Sequence, residues 1–189
     1  MGKESEVIIL DVDRKEVARR LRELRAKRTG TYAFRRMEFL LKGSVKGAHS
    51  WGRVRTDGKK TTITLKEMQG KGGFTPMNEY EVGVDDFEEA MRIMDRLVRP
   101  KLATYFENTR EAYSLGKAQV TIDKWPEIPA FMEIEAPTMG EVKRAYGLLG
   151  IKGRLVGNSP IHKIYGMYGL EFEEVMSKNG PELRRILKG

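Results

Sequence analysis

Charged residues two positions apart, inside runs that otherwise read as β-strands, constrain this chain more than any other feature. Glu4/Glu6, Arg53/Arg55, Glu79/Glu81 and Glu133/Glu135 all show the spacing. Successive strand side chains point to opposite faces, so each pair lies on one side of its strand. Thr62, Thr64 and Lys66 share a face in the same way, as do Thr121 and Asp123. In 79–84 (Glu-Tyr-Glu-Val-Gly-Val) and 130–136 (Ala-Phe-Met-Glu-Ile-Glu-Ala) the alternate positions are mostly large and apolar. A covering helix would bury those positions and leave the acidic face on the far side of the sheet. One such pair is ordinarily the solvent face of a half-exposed strand. The whole set asks for more: if the sheet curls into a barrel, the charged face becomes a lumen. Unpaired buried charge is very costly, so that lumen must be wet and must hold something charged.

The rest of the chain supplies the elements for such a sheet. Strand-like runs occur at 4–10, 32–41, 51–56, 60–67, 77–84, 104–114, 117–124 and 130–136, with hairpin turns at Thr56-Asp57-Gly58-Lys59 and Ser114-Leu115-Gly116-Lys117. A capped amphipathic helix follows each Glu-x-Glu strand. Asp13 with Glu16 precedes Val17, Leu21 and Leu24; Asp85 with Glu88 accompanies Phe87, Met91, Met94 and Val98; Thr138 with Glu141 precedes Val142, Ala145, Tyr146 and Leu149. Ser159-Pro160 opens a fourth, short helix with Ile161, Ile164, Tyr165 and Tyr168, and Asn179-Gly180-Pro181 breaks the chain before a basic terminal turn. The Gly- and Pro-rich stretch 69–76 reads as a mobile connection. The pattern predicts an α+β fold around an antiparallel sheet or barrel.

Composition narrows the function classes. With 35 Lys+Arg against 27 Asp+Glu the formal charge is +8, a modest excess over a dense mixed background. The absence of Cys excludes disulfides, thiolate zinc sites and a cysteine nucleophile, and fits a reducing, cytoplasmic setting. No apolar run approaches the ~20 residues of a membrane span, and the opening MGKESEVIIL does not read as a signal peptide. His49 and His162 lack metal-ligand spacing, Trp51 and Trp125 border apolar strands, and the ten Met read as core filler. The basic tract Arg19, Arg20, Arg22, Arg25, Lys27, Arg28 reads as a solvated helix face, because Glu16 and Glu23 interrupt it; a nucleic-acid partner is therefore disfavoured.

Six carboxylates beside Arg36, Arg53, Arg55, Lys66 and Arg110 point to a divalent cation with a polyanion. Mg²⁺ or Mn²⁺ takes oxygen ligands and keeps waters and phosphate oxygens in its shell. Arginine forks match phosphate oxygens bidentately. A metal-bound triphosphate is the natural guest.

At these residues the sequence resembles the CYTH, or triphosphate tunnel metalloenzyme, superfamily, closest in look to class IV adenylyl cyclases and thiamine triphosphatase-like proteins. The resemblance runs from about Glu4 to Gly169 and rests on Trp51-Gly52-Arg53-Val54-Arg55, Thr64-Leu65-Lys66-Glu67, Glu79-Tyr80-Glu81, Glu107-Asn108-Thr109-Arg110, Ile122-Asp123-Lys124-Trp125-Pro126, Phe131-Met132-Glu133-Ile134-Glu135 and Ile164-Tyr165-Gly166-Met167-Tyr168-Gly169. It implies one domain over 1–189: an eight-stranded antiparallel tunnel-like β-barrel flanked by α-helices, with the helical segment 138–189 packed on it. It implies Mg²⁺ or Mn²⁺, with Glu79, Glu81, Glu133 and Glu135 as metal carboxylates. Arg36, Arg53, Arg55, Lys66 and Arg110 would bind phosphate. Glu4, Glu6, Lys66 and Asp123 would stand at catalytic positions, Asp123 near the metal or orienting a basic partner. The implied substrate is a small triphosphate (ATP, thiamine triphosphate or tripolyphosphate), either cyclised or hydrolysed. No membrane partner is implied, and a homodimer is compatible with the pattern.

Four residues depart from the family pattern. Ile8 stands where a lysine completes Glu-x-Glu-x-Lys, and Leu40 lies where an acidic residue is expected nearby. Gly52 replaces a larger apolar residue, and Gly83 interrupts a strand. The alternative these departures raise is a catalytically impaired or repurposed tunnel that binds a small ligand without turnover.

Overall fold

The computed structural model describes residues 5–41, 50–68, 77–98, 103–157 and 159–188. Among the described residues nine strands form one sheet: β1 (Ser5–Leu10), β2 (Lys27–Leu40), β3 (Ser50–Thr56), β4 (Thr61–Met68), β5 (Met77–Val84), β6 (Ala103–Leu115), β7 (Ala118–Lys124), β8 (Phe131–Ala136) and β9 (Arg154–Gly157). Six helices accompany them: α1 (Arg14–Glu23), α2 (Phe87–Val98), α3 (Met139–Leu149), α4 (Ile161–Met167), α5 (Phe172–Ser177) and α6 (Gly180–Lys188). The strand order is β5-β4-β3-β2-β6-β7-β8-β1-β9. The fold is therefore α+β, as the sequence predicts, but the expected eight-stranded barrel is not what forms. The sheet has nine strands and does not close. The extra strand is β9, which the sequence reading missed because four residues are too few to show a period of two. It pairs antiparallel with β1 (Ile9↔Leu155, Leu10↔Arg154) and takes up the hydrogen bonds of that edge.

The chain divides into two compact units, Met1–Tyr32 with Asn108–Tyr168, and Ala33–Glu107 with Gly169–Gly189. In the first, α1 and α3 cover one face of the sheet. Val17 and Leu21 of α1 and Val142 and Leu149 of α3 are buried with Ile134 of β8 and Val120 of β7 in one core. Each such side chain contributes about 1.5–3 kcal/mol by leaving water. In the second unit, Phe87 and Met91 of α2 and Ile186 of α6 pack with Met37, Val54 and Tyr105. In the first unit the apolar alternates of β7 and β8 are the covered ones, which leaves their charged alternates on the opposite face. In the second unit Met37, Phe39 and Val54 are covered, but the expectation for 79–84 fails, since Tyr80 and Val82 of the edge strand β5 are 57 % and 58 % exposed.

The capping residues set where the helices begin. The Asp13 carboxylate accepts from the backbone amides of Lys15 and Glu16, and the Thr138 hydroxyl from that of Glu141, as the sequence predicts. At α2 the cap is one residue later than expected: Asp86, not Asp85, accepts from the Glu89 amide at 2.7 Å. Ser159 does not cap α4; its hydroxyl turns back to the Val156 carbonyl at 2.8 Å. The segment 69–76 and His49 lie outside the described residues.

Gly52 has a physical reason to be glycine. It stands across from Phe39 in the β2–β3 register, and a Cβ placed there would lie 2.2 Å from the Phe39 ring. The ring folds over the glycine and fills the space that a side chain would take. Gly83 is different, since a Cβ there would come no nearer than 4.0 Å to the Thr61 carbonyl oxygen. Gly52→Ala should therefore push Phe39 out of its place and lower stability by about 1–3 kcal/mol, measured by urea unfolding. An unchanged midpoint would show that the ring does not rest on the glycine.

Candidate functional site

Four strands of the second unit bring the predicted cations together. The register aligns Arg36 with Arg55 and Thr62, then Glu38 with Arg53, Thr64 and Glu81, then Leu40 with Trp51, Lys66 and Glu79. Three cross-strand rows thus place Arg36, Arg53, Arg55, Lys66, Glu79 and Glu81 on one face, spaced as strand geometry dictates. Lys66 Nζ lies 3.0 Å and Arg53 Nη2 3.9 Å from Glu79, while Lys60 Nζ lies 3.5 Å and Arg55 Nη2 4.0 Å from Glu81. The Thr64 hydroxyl donates to Glu81 at 3.1 Å. Burial pushes the Glu81 carboxyl up, but the Thr64 hydroxyl and the Arg55, Lys60 and Arg53 charges outweigh it and hold it below its ordinary value.

Two members of this face escaped the sequence reading. Phe34 lies under two guanidinium groups, its ring centroid 4.9 Å from the central carbon of Arg36 and of Arg55. The aromatic face attracts both cations and lets two like charges share one place. Glu38 is the acidic residue expected near Leu40, displaced by two positions along the same face. Its position across from Arg53 follows from register and not from any motif. Burial lifts its carboxyl above the ordinary value, against the opposing pull of Arg36, Arg53, Lys66 and Arg55. The signal that could have found both residues is the period of two itself, run in each direction from Arg36.

The first unit carries a second charged face. Arg110 of β6 stands opposite Asp123 of β7, and Nε lies 2.8 and 3.0 Å from the two carboxylate oxygens. Its Nη2 donates to Glu133 of β8 at 2.6 Å. The Thr121 hydroxyl donates to Asp123 at 2.9 Å, and the Asn108 side-chain amide approaches it at 3.5 Å. Asp123 is completely buried. Burial alone would lower the Arg110 guanidinium; Glu133, Asp123 and Glu6 reverse that and hold it above its usual range. Glu6 pairs with Glu135 across β1 and β8, and Ile8 stands across from Glu133. Ile8, only 4 % exposed, leaves Arg110 as the cation that bonds Glu133.

The predicted residues therefore fall into two groups, each assembled within its own unit, and Glu4 lies outside the described residues. Among the described residues no three carboxylates or histidines converge on one point that could hold a metal ion. His162 is exposed, and Trp125 is buried as core packing requires. The Tyr165 hydroxyl donates to the Pro126 carbonyl at 2.6 Å, so the sequence motifs at 122–126 and 164–169 meet. Among the described residues no helix is long and apolar enough to cross a membrane.

Known proteins agree with this arrangement. The family model of the CYTH domain matches residues 3–144, so the chain belongs to the CYTH domain family. Among solved structures it is similar to the PH1012 protein of Pyrococcus horikoshii OT3, at 23 % identity and a TM-score of 0.65 over 79 % of this chain and 92 % of that one. It is also similar to an adenylate cyclase candidate of Vibrio parahaemolyticus (9 % identity, TM-score 0.60, 80 % and 91 % covered). HpAC1 of Hippeastrum, an adenylyl cyclase candidate described as having a dominant triphosphatase activity, matches at 14 % identity with a TM-score of 0.58 (90 % and 97 % covered). At these identities the likeness establishes the fold. No curated protein matches the chain.

Two outcomes follow for stability. The folded chain holds the Glu38 proton more tightly than the unfolded one, so this group's contribution is full below about pH 4.5 and is lost as pH rises through the higher folded value. Glu38→Gln should flatten that part of the stability-against-pH curve and raise stability at neutral pH, read by urea unfolding at several pH values. A variant curve parallel to that of the parent would refute the assignment. Arg110→Leu strands a buried carboxylate at Asp123 and should cost about 3–5 kcal/mol. Arg110→Leu with Asp123→Asn should recover part of the loss, and a strictly additive double variant would mean that the two side chains do not interact.

Proposed function

We propose that the chain is a divalent-metal-dependent enzyme acting on a small triphosphate. The observation that carries the reading is Arg53. Its side chain is nine-tenths buried, and its Nε has no hydrogen-bond acceptor among the described residues. A buried guanidinium donor without an acceptor costs free energy unless an oxygen ligand supplies one. Phosphate oxygens suit it, and Arg55, Arg36 and Lys66 stand on the same face to share the charge.

The donor set fits a metal that arrives with its phosphates better than one caged by protein. Mg²⁺ commonly takes only one or two carboxylates and completes its shell with phosphate oxygens and water. Glu79 and Glu81 would hold it on the cation-rich face, and Glu133 and Glu135 form the equivalent pair in the first unit. When bound, the ion supplies charge neutralisation and polarisation of the phosphoryl oxygens. The chain's own residues do the rest. Arg53 and Arg55 orient the phosphates, Lys66 adds charge beside them, and Asp123 fixes the Arg110 guanidinium. Both outcomes, cyclisation of ATP with release of pyrophosphate and hydrolysis of a nucleoside, thiamine or inorganic triphosphate, call on the same phosphate-binding cations, Arg53, Arg55 and Lys66. The dominant triphosphatase activity described for HpAC1 supports putting hydrolysis first. The lysine missing at position 8 does not argue against turnover, because Arg110 brings positive charge to Glu133.

The test is incubation with ATP, thiamine triphosphate or tripolyphosphate and Mg²⁺ or Mn²⁺, with the products resolved. Released phosphate identifies the hydrolase; cyclic AMP with pyrophosphate identifies the cyclase. Arg53→Ala should lower kcat/KM by about 100-fold or more, and Glu79→Ala with Glu81→Ala should abolish metal-dependent turnover. Tight triphosphate binding without any product would favour the non-catalytic alternative and overturn the proposal.

A further inference from the structure

We propose that α1 and the turn after it form a docking surface for the phosphate backbone of duplex nucleic acid. The inference stands apart from the triphosphate reading and uses none of its residues.

One exposed helix and the turn after it are strongly positive. Between Arg14 and Arg28 lie eight cations (Arg14, Lys15, Arg19, Arg20, Arg22, Arg25, Lys27 and Arg28) against two carboxylates, Glu16 and Glu23. That segment holds six of the eight net positive charges of the whole chain. The sequence alone favours a solvated face, because two acids interrupt the run. The structure removes most of that objection. Glu23 is taken up by Arg19 and Arg20, and Arg20 turns inward, its Nε and Nη2 donating to the Leu149 and Leu148 carbonyls at 2.9 and 3.1 Å. Arg14 and Arg28 share Glu111. Lys15, Arg22, Arg25 and Lys27 are exposed and make no ion pair among the described residues.

Three features select the partner. Lys15 and Arg22 stand seven residues apart on α1, about 10 Å along its axis, and Arg25 and Lys27 follow beyond its end, in the turn and at the start of β2, so the exposed cations are spread out and do not converge on one anion. A polymer of phosphates matches such a spread; a single phosphate does not. The apolar edge of α1 is spent, with Val17 and Leu21 fully buried and Leu24 packed on the same core. An amphipathic helix binds a bilayer through an exposed apolar face, and α1 has none to offer. No aromatic residue lies between positions 14 and 28, so the surface lacks the stacking platform on which single strands are held. What remains is backbone neutralisation, with guanidinium groups, six of the eight cations, in the majority.

The experiment is fluorescence anisotropy of the full chain with labelled DNA and RNA duplexes of about 20 bp, between about 50 and 200 mM salt. Both duplexes should bind, with log K falling against log salt at a slope of about −4, as expected when four or five phosphates are neutralised. Lys15→Gln with Arg22→Gln and Lys27→Gln should weaken binding about tenfold or more and reduce the slope by about 2 to 3. The same charge change on exposed positions elsewhere, Lys59→Gln with Lys163→Gln and Arg184→Gln, should leave both nearly unchanged. Arg22→Gln alone should take about 0.9 from the slope, which keeps the test open if the triple variant fails to fold. No duplex binding at the lowest salt, a flat salt response, or equal loss in the control variant would each overturn the proposal. So would binding to phosphatidylserine vesicles in place of duplexes.

Discussion

A charge taken out of water must be given a partner, and the sheet of this protein is arranged around that cost. Period-two alternation sends apolar residues such as Val54 and Ile134 into the cores and the charged residues beside them to the other face, although on β5 Tyr80 and Val82 stay exposed. Each charged face then has to balance itself. In the second unit Glu79 is met by Lys66 and Arg53, and Glu81 by Arg55, Lys60 and the Thr64 hydroxyl. In the first, the Arg110 guanidinium engages Asp123 and Glu133 together. Phe34 belongs to the same solution, since its ring lets Arg36 and Arg55 stand side by side. On the proposed reading, a surface of paired charges suits a ligand that brings both signs, as a metal-bound phosphate does.

How much of this was legible in the sequence depended on the length of the signal. The eight expected strands and the faces of their charged residues follow from alternation over six residues or more. The caps at Asp13 and Thr138 were readable because the capping residue, its acidic partner and the apolar stripe repeat together. What failed were features set by pairing between distant segments. β9 is four residues long and owes its existence to an open edge on β1. Glu38 lies opposite Arg53 only because the β2–β3 register puts it there. The closed barrel was an inference from the family pattern about how the sheet ends, and no local pattern encodes where a sheet stops. Gly52 looked like a loss from the motif until its cross-strand neighbour was known, since Phe39 contributes the bulk that position 52 lacks.

Ile8 shows how a missing motif residue can mislead when it is read alone. A lysine at this place would put a flexible point charge beside Glu133. The register confirms that position 8 faces Glu133, but a fixed guanidinium from β6 already bonds that carboxylate. The guanidinium is held on its other side by a fully buried aspartate. A lysine added at position 8 would enter a place with little access to solvent and would compete with Arg110 for Glu133. The isoleucine is thus consistent with a face whose positive charge has been supplied from across the sheet, and the loss of one motif residue need not mean the loss of the chemistry.

The distribution of charge separates two demands that the bulk value conflates. The named residues of the sheet faces carry no excess of cations when taken together: four against three carboxylates on β2 to β5, and Arg110 against Asp123, Glu6, Glu133 and Glu135 in the first unit. These residues contribute little to the excess of positive charge, however important they are locally. Part of the excess lies on α1 and the turn after it, residues 14–28, where eight cations meet two acids. Screening at physiological salt is effective beyond about 8 Å, so the two kinds of site respond to different ligands. A face of paired charges discriminates by geometry and desolvation, and is only weakly sensitive to ionic strength. A spread of unpaired surface cations discriminates by charge density and is governed by counterion release. The two proposals therefore call on independent physical mechanisms, and ionic strength is the variable that separates them.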